Sequence, residues 1–112
     1  MAEIEFKDFQ KVEMKVGKVL SIERVPKTDK LYKLKVDVGA EAPIQIVTGL
    51  VPYYTEEELK DKSIVVVANL KPAAFAGELS QGMLLCADRE KDEGKVVIVS
   101  PDKEIQPGSS VN

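Results

Sequence analysis

Apolar and polar residues alternate along much of this chain, and a period of two is typical of half-buried β-strands. From Val12 to Arg24 the even positions are mostly apolar and the odd positions mostly polar. This pattern predicts a long first strand whose even positions face the core. Gly17 and Lys18 interrupt the apolar side, so we expect a bulge or a sharp bend there.

Two shorter strands are predicted next, after a polar connection at 26–29. The second strand places apolar side chains on one face, namely Tyr32, Leu34, Val36 and Val38, and Lys33, Lys35 and Asp37 on the other. We therefore expect Tyr32 inside the core. Residues 39–43 then turn the chain into a third strand, Ile44–Thr48.

The middle of the chain predicts one short helix and a buried strand. Thr55–Leu59 has Thr at the N-cap position and Glu58 three residues later, which is the pattern of a capping box. Ile64–Leu70 is a continuous apolar run rich in β-branched residues, which favours a strand buried on both faces.

Two further strands are predicted beyond a 12-residue connection at 71–82. They are Met83–Ala87 and Val96–Val99, joined by a turn around Gly94. Cys86 lies between two apolar residues and is interpreted as a small buried side chain.

The order strand, strand, strand, helix, strand, strand predicts an all-β fold with one short helix, an OB-fold five-stranded Greek-key barrel. Residues 1–112 are expected to form a single domain. Such barrels bind ligands on the outer face of strands two and three, between two flanking loops. The lysine-rich 24–36 segment covers the first loop and the second strand, and 71–82 is the other loop.

Composition argues against catalysis. The chain has 44% hydrophobic and 31% charged residues, no histidine and one cysteine, Cys86. Without histidine it lacks the commonest general base and metal ligand, so we expect no enzyme, metal or cofactor. No apolar run is long enough to cross a bilayer, and a single cysteine is typical of a reducing compartment. We expect a cytoplasmic protein with no membrane partner.

One dense acidic cluster comprises Asp88, Glu90, Asp92 and Glu93. Arg89 and Lys91 alternate with these acids ahead of Gly94. We interpret the cluster as a solvated hairpin turn, with a Mg²⁺ site as the alternative.

Positive charge is concentrated in one short segment although the whole chain carries −3. Within 24–36, five cations face one acid, Asp29, for a local charge of +4; they are Arg24, Lys27, Lys30, Lys33 and Lys35. A local positive field favours a polyanionic partner. Lysines that keep an exposed edge strand from aggregating are the alternative.

Several segments together resemble the tRNA-binding domain found at the C-terminus of many methionyl-tRNA synthetases and in free-standing bacterial dimers. They are Phe9–Gly17, Lys30–Asp37, Val47–Gly49, Asn69–Pro72, Ser80–Met83 and Pro107–Ser109. The resemblance runs in order over essentially the whole chain. It implies an OB-fold, usually dimeric, that binds tRNA by shape more than by sequence.

The resemblance implies phosphate contacts by Lys30, Lys33 and Lys35. Around the rim of the groove it places Asn69, Lys71, Ser80, Gln81, Gly82 and Met83. Core packing remains an alternative for Met83, and loop capping for Ser80 and Asn69. The chain departs from its relatives at 73–76, where it reads Ala-Ala-Phe-Ala. Relatives often have Lys or Arg in this segment. Phe75 is the only aromatic residue on the two expected binding loops, so we expect base stacking to be minor and the lysines to follow a folded RNA backbone.

Three functions are compatible with these patterns. The first is tRNA recruitment to the catalytic part of methionyl-tRNA synthetase, as a homodimer. The second is peptide binding, as in export chaperones of the same superfamily. In those chaperones the Ser-x-Gly-Met string is altered, so its presence in this chain favours RNA binding. The third is a pure dimerisation domain, with an interface formed by apolar residues near the termini: Ile4, Phe6, Phe9, Ile105 and Val111.

Overall fold

A computed structural model describes residues 1–89 and 95–112 of the chain, which form ten strands and two four-residue helices. The strands are β1 Met14–Arg24, β2 Tyr32–Asp37, β3 Ile44–Thr48, β4 Ser63–Val67, β5 Ala73–Phe75, β6 Glu78–Ser80, β7 Met83–Leu84, β8 Cys86–Asp88, β9 Val96–Ile98 and β10 Ser110–Val111. The helices are α1 Phe6–Phe9 and α2 Glu56–Leu59.

The main sheet has the order β3–β2–β1–β4–β7, with β10 also paired to β1, and its pairings are all antiparallel. Two hairpins, β5–β6 and β8–β9, extend from it. A meander of three strands whose long first strand also pairs with the fourth is the arrangement of an OB barrel. The predicted fold class is confirmed.

The long first strand is present, but its bulge does not lie at Gly17 and Lys18, where it was predicted. Pairing with β2 is regular up to Val19 and resumes at Ser21, so the extra residue is Leu20. The bulge shifts the alternation. Val19 is fully buried, whereas Leu20, predicted to face the core, is 41% exposed. Gly17 has another role, because a Cβ there would lie 2.6 Å from Val36 Cγ1.

The barrel core is built from the strand faces that the alternation predicts on β2. Tyr32, Leu34 and Val36 are buried, and the Tyr32 hydroxyl donates a hydrogen bond to the Tyr54 carbonyl oxygen at 2.7 Å. The prediction that Tyr32 lies inside is therefore confirmed. Ile64–Val67 are all buried, as predicted for a strand covered on both faces, but β4 ends at Val67 and Leu70, predicted to belong to it, is 46% exposed.

Helix α2 begins with the predicted capping box. Thr55 Oγ1 accepts from the Glu58 backbone N–H at 3.2 Å, and a Glu58 carboxylate oxygen accepts from the Thr55 N–H at 2.9 Å. These bonds satisfy donors that the helix itself leaves unpaired. Leu59, at the other end of the helix, is fully buried and anchors α2 to the core.

Several further elements differ from the predictions. Helix α1 and strand β10 were not predicted, and Val12 lies between α1 and β1, not in the strand. The connection at 71–82 contains the β5–β6 hairpin. The predicted fifth strand is divided at Leu85, whose N–H donates to Val65 O while its carbonyl accepts from Val99 N. The chain changes pairing partner there, from β4 to β9.

The predicted hairpin arm at 96–99 is present as β9, paired with β8. The turn predicted around Gly94, with Glu90, Lys91, Asp92 and Glu93, lies outside the described residues.

Candidate nucleic-acid interface

Lys33 lies on the outward face of β2, and its charge is shared with two carboxylates. Its ammonium is 3.0 Å from the Glu78 carboxylate of the hairpin and 3.4 Å from that of Glu23 on β1. The hydrogen bond to Glu78 is the main reason that the pKa of Lys33 lies above its ordinary value; desolvation opposes this rise and Glu23 adds to it. Lys33 thus remains a cation and ties three elements together.

Lys35 and Lys30 extend the positive face. Lys35 is exposed on the same side of β2 as Lys33, and its ammonium donates to Gln45 Oε1 on β3 at 2.8 Å. Lys30 is exposed just before β2, where its carbonyl accepts from the Val51 N–H. The three lysines therefore lie along one strand and its preceding loop, where an OB barrel presents its binding face.

Ser80 is buried, and its hydroxyl both accepts and donates a hydrogen bond within the protein. Oγ accepts from the Val47 backbone N–H at 3.0 Å and donates to the Gly82 carbonyl oxygen at 3.0 Å. Val47 belongs to β3, which lies at one end of the main sheet. The hydroxyl therefore supplies the hydrogen-bond partner that a buried backbone donor of this strand requires.

Gln81 continues this attachment one residue further along. Its side-chain Oε1 accepts from the Gln45 N–H, and its own N–H donates to the Gln45 carbonyl, both at 2.7 Å. The Gln45 side chain in turn donates to the Leu79 carbonyl at 2.8 Å. Ser80 and Gln81 together attach the hairpin to β3 and close the barrel on that side.

Gly82 and Met83 follow directly, and they differ in exposure. A Cβ on Gly82 would lie 2.9 Å from the Val67 carbonyl oxygen, so the expected close backbone approach is present. Met83 pairs with Val67 across the sheet but leaves its side chain 47% exposed. The alternative that Met83 packs in the core is wrong.

Asn69 ties the N-terminal segment to the barrel. Its Nδ2 donates to the Lys11 carbonyl at 2.6 Å, and its Oδ1 accepts from the Glu13 N–H at 2.9 Å. Both amide atoms are thus engaged just before β1 starts. Lys71, two residues further on, is exposed and makes no ion pair within residues 1–89 and 95–112.

A cleft of about 150 Å³ lies between the hairpin and the outer side of β3. We call it the hairpin cleft, and it is lined by Val47, Leu70, Lys71, Ala73, Phe75, Ser80, Gly82 and Met83. Four of the predicted site residues meet there: Lys71, Ser80, Gly82 and Met83. Lys33 lies beside it as the direct cross-strand neighbour of Val47, without lining it. The other predicted site residues do not line it: Lys30, Lys35, Asn69 and Gln81.

Three contributors were missed by the sequence reasoning. Glu78 and Glu23 pair with Lys33, and Gln45 binds both Lys35 and the hairpin. Glu23 was detectable, because antiparallel pairing of β1 with β2 brings its side chain opposite Lys33. Nothing local distinguishes Glu78 or Gln45, since their partners are fixed only when the hairpin closes onto β3.

Cys86 is the only thiol of the chain and lies half-buried against the core. Burial, with a smaller effect from Asp88, raises its pKa above the ordinary value of 9.0. Across 1–89 and 95–112 there is no group of three or more His, Cys, Asp or Glu side chains placed to hold a metal ion. Nor does the described part contain a helix long and apolar enough to span a membrane.

Comparison with solved structures extends over the whole barrel. The chain superimposes on a MetRS-related protein from Pyrococcus horikoshii with a TM-score of 0.90 and 40% identity, covering 99% of each chain. It also superimposes on the chaperone CsaA from Bacillus anthracis with a TM-score of 0.86 and 27% identity, covering 99% of this chain and 100% of the other.

Sequence comparison points to the same group. The chain is 50% identical over 112 residues to a methionine–tRNA ligase of Methanosarcina acetivorans, and 49% identical over 109 residues to that of Archaeoglobus fulgidus. These matches cover 99% and 97% of this chain, but only 15% and 16% of the ligases. A family model described as "Putative tRNA binding domain" matches residues 14–110. The chain belongs to this tRNA-binding-domain family, which the methionyl-tRNA synthetases share.

Proposed function

We propose that this domain binds tRNA without catalysing a reaction, through the outward face of β2, the preceding loop and the rim of the hairpin cleft. The observation that carries the proposal is the gathering of Lys30, Lys33, Lys35 and Lys71 around one face of an OB barrel. Family membership supports the choice of tRNA. Lysine ammonium groups neutralise phosphates as point charges, so the domain follows the RNA backbone and its shape more than its sequence.

The rim residues have supporting roles in this proposal. Ser80 and Gln81 hold the hairpin against β3, and Gly82 allows the close backbone approach that positions Met83. Asn69 fixes the start of β1 beside the Lys71 loop. Of these residues, Met83 is the one with a large exposed apolar side chain to offer an RNA.

A salt titration tests the phosphate-binding face. We expect the triple variant Lys30→Ala/Lys33→Ala/Lys35→Ala to bind all tRNAs more weakly. Its slope of log affinity against log salt concentration should fall by roughly one unit for each phosphate that is no longer neutralised. A matched control removes three exposed lysines elsewhere, Lys60, Lys95 and Lys103, for the same change in net charge. Equal losses in both triple variants, or no loss in either, would rule out this face.

Recruitment to a synthetase catalytic part is the second element of the proposal. A tethered RNA-binding domain raises the local tRNA concentration at the active site. Fusion of this chain to a methionyl-tRNA synthetase that lacks such a domain should lower the KM for tRNA and leave the KM for methionine unchanged. The triple lysine variant in the same fusion should remove the effect, and a KM for tRNA that stays the same with the native chain would contradict recruitment.

Homodimerisation is the third element, and exposed apolar residues at the termini support it. Ile4, before α1, is 71% exposed and Phe6, within it, 72%, and α1 buries no residue of its own. A second cleft, of about 410 Å³, includes Phe9 of α1 and Val111 of β10. Exposed apolar surface of this kind typically marks an association site. A second copy supplies a self-complementary partner.

Light scattering tests the dimer directly. The native chain should give about twice its 12.3 kDa mass, and Phe6→Ser/Phe9→Ser should shift it towards the monomer. Leu79→Ser, at a similarly exposed position on the hairpin, should stay dimeric. A native monomer at tens of micromolar would overturn this element. If the monomeric variant binds tRNA normally, dimerisation serves another purpose than RNA binding.

Peptide binding is the second candidate function. The similarity to the chaperone CsaA and the exposed apolar side chains of the hairpin cleft favour it. An unfolded polypeptide without net charge discriminates the two functions, because an apolar site would bind it without dependence on salt. Binding of such a polypeptide more tightly than tRNA at physiological salt would make the domain a peptide binder.

A further inference from the structure

We infer that the hairpin cleft takes one unpaired nucleobase of the bound RNA, held against Phe75 and Met83. This inference rests on the proposed function and adds a specific subsite to it. Phe75 and Met83 are 48% and 47% exposed, and both line the cleft. Leu70, which is 46% exposed, also lines the cleft, and together these apolar side chains leave a surface that a flat apolar group would cover favourably.

The volume of the cleft limits its occupant. About 150 Å³ is well below the roughly 300–1,000 Å³ of pockets that enclose drug-sized ligands. A single planar ring system suits that space, whereas several consecutive side chains of a peptide do not. Phe75 provides the aromatic surface on which a base stacks, and the Met83 thioether is polarisable and adapts its shape to the ring.

Charge favours a nucleotide over an apolar peptide side chain. Lys71 is the one charged residue among those lining the cleft. Val47, which also lines the cleft, lies directly beside Lys33 on the neighbouring strand. Lys33 borders the cleft without lining it, and its ammonium is paired with Glu78 and Glu23. An apolar slot lined by one cation and bordered by a second matches a nucleotide, whose base is apolar on its faces and whose flanking phosphates are anionic.

The one buried polar side chain that lines the cleft is not available to read base edges. The Ser80 hydroxyl is already engaged with Val47 and Gly82 in both of its hydrogen-bonding roles. Stacking without edge contacts is tolerant of sequence, because every base has an aromatic face. The subsite should therefore accept any base that is extruded from a helix, and should reject a fully paired duplex.

Substitutions on the hairpin test the subsite. Phe75→Ala should weaken tRNA binding by about tenfold, within the range for loss of one stacked base, and should leave the salt slope unchanged. Phe75→Tyr should restore binding, since the ring is kept. Leu79→Ala is the matched control, because Leu79 is equally exposed on the same hairpin but does not line the cleft. It should bind as the native chain does.

A fluorescent base gives a direct readout. A short single-stranded RNA carrying one 2-aminopurine should lose fluorescence on binding, as stacking quenches it, and Phe75→Ala should abolish the quenching. A fully paired RNA duplex with the same label should show none. If Phe75→Ala retains full tRNA affinity while the triple lysine variant loses it, the base subsite is wrong and the proposed function stands.

Two other outcomes separate the remaining possibilities. If neither Phe75→Ala nor the triple lysine variant weakens tRNA binding, the proposed function itself fails along with the subsite. If Phe75→Ala instead abolishes binding of an uncharged unfolded polypeptide, and tRNA does not compete with that polypeptide, the hairpin cleft is a peptide site and the base subsite is overturned.

Discussion

The ammonium of Lys33 and the carboxylate of Glu78 lie 3.0 Å apart, joining strand β2 to the hairpin that borders the candidate binding face. The Glu78 side chain is only 29% exposed. Within the proposed function, an RNA phosphate approaching Lys33 would compete with this carboxylate. Glu78 of the hairpin thus lowers the affinity of this face for RNA phosphate.

Glu78→Gln is therefore expected to strengthen tRNA binding. The gain should reach up to about fivefold, the range of a partly exposed ion pair, and the salt slope should steepen because Lys33 becomes available to phosphate. Glu104→Gln removes an equal charge near Lys18 and Ser63, away from this face, and is the control. Equal gains in both variants would mean that only net charge matters.

Gly82→Ala should destabilise the fold through a steric clash. The added Cβ would lie 2.9 Å from a backbone oxygen, that of Val67, which cannot move independently of β4. The expected loss is about 1–3 kcal/mol in the free energy of unfolding. Gly49→Ala meets no described atom within 4 Å and should change stability by less than about 0.5 kcal/mol. Urea denaturation of the two variants compares them; equal stabilities would show that the approach at Gly82 is not tight.

Ser80→Ala leaves the N–H of Val47 without its acceptor at a buried site. Loss of that partner should cost about 1–3 kcal/mol in the free energy of unfolding. Binding to tRNA should weaken with an unchanged salt slope, because no cation is removed. Ser109 is only partly buried and its hydroxyl donates to Gln106 O, so Ser109→Ala should cost about 0.5–1.5 kcal/mol. If Ser80→Ala unfolds at the same midpoint temperature as the native chain, the role assigned to Ser80 is wrong.

The thiol of Cys86 should react slowly with iodoacetamide in the folded protein. Its pKa is raised by burial, so the thiolate is disfavoured below and around the ordinary value of 9.0. The neutral Cys86 thiol contributes to the free energy of unfolding, and this contribution is fully present below pH 9.0. It is lost as pH rises through the pKa of the thiol in the folded protein. Alkylation rates from about pH 7 to 10, with the urea-unfolded chain as control, measure this. A native rate equal to the unfolded rate would contradict burial.

The alternation of side chains predicted which residues of β2 enter the core, because a strand's faces are set by neighbours two positions away. It also identified the lysines of the outer face, while the spacing of Thr55 and Glu58 identified the capping box of α2. It failed within β1 at Val19, which is buried, and at the bulge residue Leu20, which is exposed, whereas Ile22 beyond the bulge packs against the core as predicted. A bulge is defined by two strands together, and Lys35 takes Ser21 as its partner only in the paired sheet.

The hairpin cleft also depended on contacts between distant segments. Val47, Lys71 and Phe75 come from β3, a loop and β5, and they meet because Ser80 and Gln81 attach the hairpin to β3. The alternation of apolar and polar residues within a strand does not predict contacts between segments that are distant in sequence.

Strands β1 to β4, the barrel class, the positive segment and the family resemblance could be read from the order of residues. They follow from local alternation, from composition and from motifs along the chain. The bulge at Leu20, the pairing of Lys33 with Glu78 and the shape of the cleft beside Phe75 became visible only in the folded barrel. The reason is physical: closing the barrel chooses among many long-range pairings, and the choice is a property of the whole packed chain.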